Sequence, residues 1–387
     1  MHKMTECFIN VEVVHIIAGL SDGGAEGVLS RICLYDRSVK HSVVSLMGEG
    51  KYGAQLRANG ITVDCLNMPS GRITFSGVCK LLCLLRRQRS KIVVQTWMYH
   101  ADLIGGVLAR LAGVRHVYWN VRHTNLDVNF SKKSTIFVAR LCAWLSHLVP
   151  RQIICCAEEA AKVHRELGYA SEKLLVIANG YDLSKFTVND SARTRLRTEL
   201  GLSSCWLLGM VGRFDPQKDH KNFLLALADL KRRGLSFCAI LIGRGMNDSN
   251  GQLISWIKEL GLEGEVRLLG QRTDIPEIMN ALDVHVLSSA FGEAFPNVVA
   301  EAMACGTPVI ATDVGDAGLI IGDTGWVVLP EDSSALADAI GAAATEWREA
   351  KDAWNRRKNA CRTRINENFS LKKMITSYHQ VWKVKKD

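Results

Sequence analysis

The chain is poor in proline, with 7 in 387 residues, and has no extreme of composition elsewhere: 48% of its residues are hydrophobic and 22% charged. Those proportions exclude disordered, collagen-like and coiled-coil chains. It has no Walker P-loop, and the loop 19–27 lacks a strict G-x-G-x-x-G. Its 12 cysteines form no C-x-x-C pair and no zinc-ligand spacing. Cys79, Cys83, Cys142, Cys155, Cys156 and Cys238 sit inside apolar runs, which reads as buried free thiols in a reducing compartment. The longest apolar stretch, residues 134–150, contains Arg140 and His147 and is too short and too polar to span a bilayer. Residues 1–17 lack the charged, apolar and small-residue succession of a signal peptide, so the expected location is cytoplasmic.

At about 150 residues per domain, the length suggests two large domains. The formal charge of +9 is not shared between the halves. Residues 1–185 hold 23 Lys and Arg against 14 Asp and Glu, whereas residues 186–387 hold 25 of each sign. An excess confined to one half points to an anionic partner there, or else to a solvated basic face.

Short apolar runs alternate with amphipathic stretches. Strands are predicted at 11–17, 41–47, 61–66, 91–96, 116–120, 152–156 and 174–177, with helices near 25–36, 76–89, 101–112, 134–147 and 157–167. The alternation restarts with strands at 207–211, 237–242, 265–269, 284–287, 309–311 and 326–328 and helices near 221–232, 250–260, 275–281, 296–304 and 333–346. Two such runs predict an α/β protein of two doubly wound, parallel-sheet domains. The polar stretch 184–204 reads as the connection between them. Residues 370–386 have helical apolar spacing (Leu371, Met374, Ile375, Tyr378, Val381, Trp382) and close the second domain or return to the first.

Four segments could carry chemistry. The loop 19–27, with Gly23 and Gly24, links the first strand to a helix, where free N–H groups can meet an anion; a plain tight turn is the alternative. Arg213 and Lys218 lie five apart beyond the first strand of the second domain, at the strand end where parallel sheets bind ligands. Two cations there suit a diphosphate, or are ordinary charges at a helix start. Glu293 and Glu301 lie eight apart, one in a loop and one in a helix with Pro296 in its first turn. A carboxylate there can accept two hydroxyl hydrogen bonds from a ribose or sugar, or serve as a cap. His123 in Trp119–Asn125 and His100 in Trp97–Asp102 follow strands of the first domain; a structural histidine is the alternative for each.

Together, Gly23-Gly24-Ala-Glu26, Arg122-His123-Thr124, Asn179-Gly180-Tyr-Asp182, Gly212-Arg213 with Lys218, Gly243-Arg-Gly245 and Glu293-x7-Glu301 resemble glycosyltransferase family four. Those are retaining enzymes of the GT-B fold, also called group 1 glycosyltransferases, and the likeness runs through nearly the whole chain in order. It implies two Rossmann-like domains facing a cleft: 1–183 for the acceptor, 184–369 for the nucleotide sugar, and a C-terminal helix, 370–387, returning to the first. It implies donor contacts from Gly23, Gly24, Arg213, Lys218, Glu293, Ala294, Phe295, Pro296, Asn297 and Glu301, and acceptor contacts from Gly24, His100 and Arg122. His123, Glu293, Arg213 and Lys218 are the implied catalytic set. Arg213 and Lys218 would hold the diphosphate, Glu301 the ribose, Glu293 the transferred sugar, and His123 the sugar near its C6 hydroxyl.

No D-x-D pair stands beside the phosphate site, so no metal and no other cofactor is expected. Two departures are Glu-Ala-Phe-Pro, where many relatives have Glu-Gly-Phe-Pro, and Gly27, where many have Arg. The implied activity is transfer from a nucleotide sugar, a UDP-sugar first, to a glycan or lipid-linked acceptor in surface polysaccharide or lipopolysaccharide synthesis. The alternatives are a GT-B UDP-sugar epimerase and a non-catalytic sugar-nucleotide binder. No nucleic-acid module is present. Basic residues around apolar helices (Lys80, Arg86, Arg87, Arg89 and Lys91; Lys132, Lys133, Arg140 and Arg151) add an expectation of peripheral contact with the inner face of the membrane.

Overall fold

The computed structural model describes residues 12–21, 23–88, 92–124 and 132–383. Val11, Asp22, Arg89, Lys91, Asn125 and residues 384–387, which entered the predictions above, lie outside the described residues. The chain divides into two compact units: residues up to Gly180 together with those from Leu371 onward, and Tyr181–Ser370.

The first unit carries a parallel seven-stranded sheet. In chain order its strands are β1 (Glu12–Ile17), β2 (Lys40–Ser45), β3 (Thr62–Cys65), β4 (Ile92–Trp97), β5 (Val117–Val121), β6 (Gln152–Cys155) and β7 (Leu174–Val176), and in space they run β3-β2-β1-β4-β5-β6-β7. The second unit's parallel sheet contains β8 (Leu207–Val211), β9 (Cys238–Ile242), β10 (Val266–Leu268), β11 (Val284–Leu287), β12 (Val309–Thr312) and β13 (Trp326–Val328), in the order β10-β9-β8-β11-β12-β13. Central strands such as β4, β5 and β8 are buried at every position, as a sheet covered on both faces requires. Each sheet reverses direction once, between β1 and β4 and between β8 and β11, and such a switch point opens a crevice at the carboxyl ends of the strands.

Stretch 184–204 corrects the linker reading: it contains the helix Asp190–Glu199, capped by Asn189, whose side chain accepts from the Ala192 amide. Only Ala192, Leu196 and Arg197 of that helix are buried, so its apolar period is weak. The helix predicted at 101–112 is broken. A π-helical segment, Asp102–Gly106, interrupts it, and a Cβ on Gly105 or Gly106 would stand 2.9 Å from Ile16 or 2.4 Å from the Trp119 indole. Glycine lets this segment lie directly on the sheet.

The C-terminal helix Leu371–Trp382 belongs to the first unit. Leu371, Met374, Ile375, Tyr378, Val381 and Trp382 join the core that contains Val13, Ile17, Leu29 and Val43. Buried polar contacts fix its register: Asn120 Nδ2 donates to the Tyr378 hydroxyl at 2.6 Å, and Trp382 Nε1 to Gln95 Oε1 at 3.0 Å. A histidine chain continues the pattern. Trp97 Nε1, an obligate donor, gives its proton to His15 Nδ1 at 3.2 Å, so His15 carries its own proton on Nε2. That proton goes to His41 Nδ1 at 3.0 Å, and His41 Nε2 in turn donates to Asp36 at 3.3 Å. His379 of the C-terminal helix reaches the same Asp36 oxygen at 2.5 Å. Burial works against the Asp36 carboxylate, but hydrogen bonds from His379, His41 and Ser38 outweigh it and hold the group well below the usual carboxylate range.

Candidate active site

In the second unit the expected site residues gather at the carboxyl edge, beside the β8/β11 switch point. Beyond β8, Asp215 caps a short turn, Pro216–Lys218, by accepting from the Gln217 amide at 3.0 Å, and Asp219 then takes a left-handed conformation. This folds Lys218 back: its stem runs alongside Gly212 and its ammonium donates to Glu293 Oε1 at 2.5 Å. Both side chains are nearly buried, at 12% and 10% exposure, so the pair lies in a medium where charge interactions are strong. Ser289 donates to the same Glu293 oxygen at 2.7 Å, and Ser288 anchors the turn through the carbonyls of Lys218 and Asp219.

Arg213 occupies the rim of this loop and is half exposed. Its Nε donates to Asp215 Oδ2 at 2.9 Å and its Nη2 to Gln217 Oε1 at 3.1 Å. Burial alone would raise Asp215, but its bonds to Arg213 and the Gln217 amide and the charges of Arg213 and Lys218 bring it below the ordinary value. One carboxylate thus feels both cations. The Gly243–Gly245 loop laces onto the same segment: the Gly212 amide donates to Ile242 O and the Phe214 amide to Arg244 O. Gly243 has φ 142°, and a Cβ there would come within 1.9 Å of Gly212 O, so only glycine lets the two loops touch.

The segment Glu293–Pro296 leads into the helix Asn297–Ala304. Pro296 stands just before that helix rather than in its first turn. Glu301 is half-buried within the helix. Its charge adds to burial in pushing the Cys305 thiol up to about 12.

Several supports were not foreseen. Thr312 Oγ1 donates to Ser289 O at 2.6 Å, and the Asp316 amide donates to Ala294 O at 2.9 Å. Gly315, at φ 61°, lies so close that a Cβ would stand 2.3 Å from Glu293 O. Beneath Lys218, burial and then the lysine charge hold His285 down to about 3 and His220 down to about 4, so both are neutral.

In the first unit Gly23, Gly24, His100, Arg122 and His123 also lie at a carboxyl edge, beyond the adjacent strands β1, β4 and β5. Gly23 precedes the helix Gly24–Tyr35, and nothing lies within 4 Å of a Cβ placed on Gly24. The Tyr52 hydroxyl stands 3.2 Å from a Cβ on Gly27, filling the space a larger residue would take. Burial lowers both His100 and His123, and His123 Nδ1 is buried with no hydrogen-bond partner among the described residues. Arg122 is tied into its own unit by Asn120 and Asn179 and by the Trp97 ring face at 5.7 Å.

Comparison with known proteins agrees with this architecture. Residues 206–346 match the family described as Glycosyl transferases group 1, and residues 23–185 match Glycosyltransferase Family 4. EpsF of Bacillus subtilis, which is named as a glycosyltransferase, is 30% identical over 270 residues, covering 65% of this chain and 67% of that protein. The Escherichia coli UDP-Gal:alpha-D-GlcNAc-diphosphoundecaprenol alpha-1,3-galactosyltransferase is 27% identical over 303 residues, covering 76% and 75%. Among solved structures, Anabaena HepE in complex with UDP superposes with a TM-score of 0.83 over 96% of this chain and 99% of that one, at 23% identity.

Proposed function

The chain belongs to the group 1, family 4 glycosyltransferases of GT-B fold, and from that premise we propose that it is a retaining, metal-independent enzyme that moves a sugar from a UDP-sugar to a lipid-linked or glycan acceptor. The observation that carries the reading is the buried Lys218–Glu293 pair at the switch point of the second sheet, braced by Ser289 and by the Gly212 and Gly243 loops.

In this proposal the C1–oxygen bond to the β-phosphate breaks and its electron pair stays on that oxygen. Lys218 and Arg213 stabilise the growing charge, the role a metal fills elsewhere. The acceptor oxygen bonds to C1 on the same face, and its proton passes to the departing phosphate. Glu293 positions the transferred sugar, Glu301 holds the ribose, His123 meets the sugar, and the first unit takes the acceptor. The donor named for the Escherichia coli relative supports UDP, and its diphosphoundecaprenol acceptor supports a lipid-linked substrate.

A screen of UDP-, GDP- and ADP-sugars, read by donor consumption and thermal shift, tests the reading. UDP-sugars should turn over and stabilise the wild type, and Glu301→Ala should raise the donor concentration required at least tenfold, the loss of a charged hydrogen bond to a hydroxyl. Epimerised free donor, or binding without turnover, would instead favour the alternative activities.

Peripheral contact with an anionic membrane is part of the same proposal. From residue 65 to 157 the sequence has 13 Lys and Arg and only two acids, Asp102 and Asp127, and Asp102 is buried. The helix Phe75–Gln88 turns Leu81 and Leu85 into its own core while Lys80, Arg86 and Arg87 are exposed. The helix Lys133–Ser146 has two apolar sides. Ile136, Ala139, Cys142 and Ala143 are buried, while Phe137 and Trp144 are exposed along with Lys133 and Arg140, as is Leu148 just past the helix end. An apolar stripe edged with cations suits the headgroup boundary of a bilayer. The protein should sediment with phosphatidylglycerol vesicles and not with phosphatidylcholine, and Phe137→Ser with Trp144→Ser should abolish most of that binding. Equal retention of this double variant would remove the stripe from the argument.

A further inference from the structure

Tyr181 is the first residue of the second unit, and Ser370 is the last. Where a chain enters and leaves a domain, the backbone is usually exposed and loosely held. Here it is neither. The Tyr181 side chain is fully buried, its amide donates to Phe369 O at 2.9 Å, and it pairs with Ser370 in an isolated parallel bridge.

Its hydroxyl, the one polar atom of the side chain, is spent on a residue of the candidate site, donating to Asn297 Oδ1 at 2.6 Å. The ring stacks on Phe295, with centroids 6.4 Å apart and planes 20° from parallel, and Phe295 meets the edge of Phe369 at 5.5 Å. Phe295 and Asn297 are the two residues that flank Pro296 at the mouth of the helix Asn297–Ala304. The loop Glu293–Asn297 is therefore gripped on two sides. Gly315 and Asp316 hold its start, and Tyr181 with Phe369 holds its end, at the two points where the chain crosses between units.

We propose that Tyr181 is a positioning residue for the donor: its hydroxyl fixes the Asn297 side chain, and with it the first turn of the helix whose amide groups would face the donor diphosphate. The inference rests on the reading that Glu293–Asn297 binds the donor. A tyrosine serving only as packing would need its ring and not its hydroxyl, and a buried phenol takes any nearby acceptor. The hydroxyl and the ring can therefore be separated by experiment.

Tyr181→Phe keeps the stacking on Phe295 and removes the bond to Asn297. For this variant the donor KM and the Kd for UDP should each rise about fivefold, the effect of one neutral hydrogen bond, with acceptor KM and Tm little changed. Asn297→Ala should give the same rise, and the double variant should be no worse than either single one, because both changes remove the same contact. Wild-type values in Tyr181→Phe, or additive losses in the double variant, would overturn the proposal. If the wild type neither binds UDP nor consumes any nucleotide sugar, it is the donor-site reading that fails, which separates the two results.

Discussion

Replacing Lys218 by alanine is expected to lower kcat by about two to three orders of magnitude while weakening UDP binding by less than about tenfold. The asymmetry follows from where charge grows. A bound diphosphate is already anionic and keeps several contacts without the lysine, whereas the extra charge on the leaving oxygen exists only as the bond to C1 breaks. A nearly buried ammonium already held in place by Glu293 needs little rearrangement to meet that charge. The pair also predicts a complication. Without Lys218, the nearly buried Glu293 carboxylate, which also accepts from Ser289, loses its cation and repels an incoming diphosphate. Lys218→Ala combined with Glu293→Gln should therefore recover UDP affinity without recovering kcat. Steady-state kinetics with calorimetric UDP titration measure both quantities. A Lys218→Ala enzyme with raised KM and unchanged kcat would make the residue a binding contact only.

That prediction uses a contact between residues 75 apart in sequence, and this marks the limit of what the chain disclosed. The strands were legible because a strand covered on both faces must be apolar throughout, and runs such as Leu207–Val211 contain nothing else. The C-terminal helix was legible from spacing alone, since all six of its apolar positions enter the first unit's core. The helices Asp190–Glu199 and Lys351–Phe369 were not: both are mostly polar and hold their place through a few buried side chains, so periodicity had little to report. Residues 293–301 could be read as a unit because the loop and helix are contiguous. Gly315 and Asp316 could not, since what makes them matter is a backbone approach to Glu293 and Ala294 from the turn that follows β12. The ion pair between the expected phosphate cation and the expected sugar carboxylate was equally invisible, because motif spacing places residues along a chain and does not say which charges neutralise each other. The same holds for His15, His41, Asp36 and His379, which form one network from four elements.

Those buried histidines set the second large effect, a steep loss of stability in mild acid. Burial lowers His15 well below its ordinary value, and it holds His164 and His220 at about 4 and His285 at about 3. In the unfolded chain each binds a proton near pH 6.5. Their contribution is therefore complete above pH 6.5 and is lost as pH falls toward the folded values, at about 1.4 kcal/mol per pH unit for each. Geometry gives the reason. His15 Nδ1 already receives the Trp97 proton, and His164 Nε2 faces the Tyr99 hydroxyl at 2.9 Å while its Nδ1 donates to Ala160 O. An added proton would set donor against donor at His15 and force the Tyr99 hydroxyl to turn at His164. Two carboxyls act the other way. Burial raises Asp102 well above, and Asp219 above, the ordinary value, so each gains stability as pH falls toward 4. The lowered histidines, His100 and His123 among them, outnumber these two acids, so falling pH costs stability on balance, against domain stabilities of about 5–15 kcal/mol. Melting temperature should then fall sharply between pH 6.5 and 4.5. His285→Leu should flatten that slope, and Asp102→Asn, which removes an opposing group, should steepen it. Calorimetry across that range on the three proteins decides the matter: a flat wild-type profile, or both variants shifting the slope in one direction, would mean that the buried imidazoles are not what acid attacks.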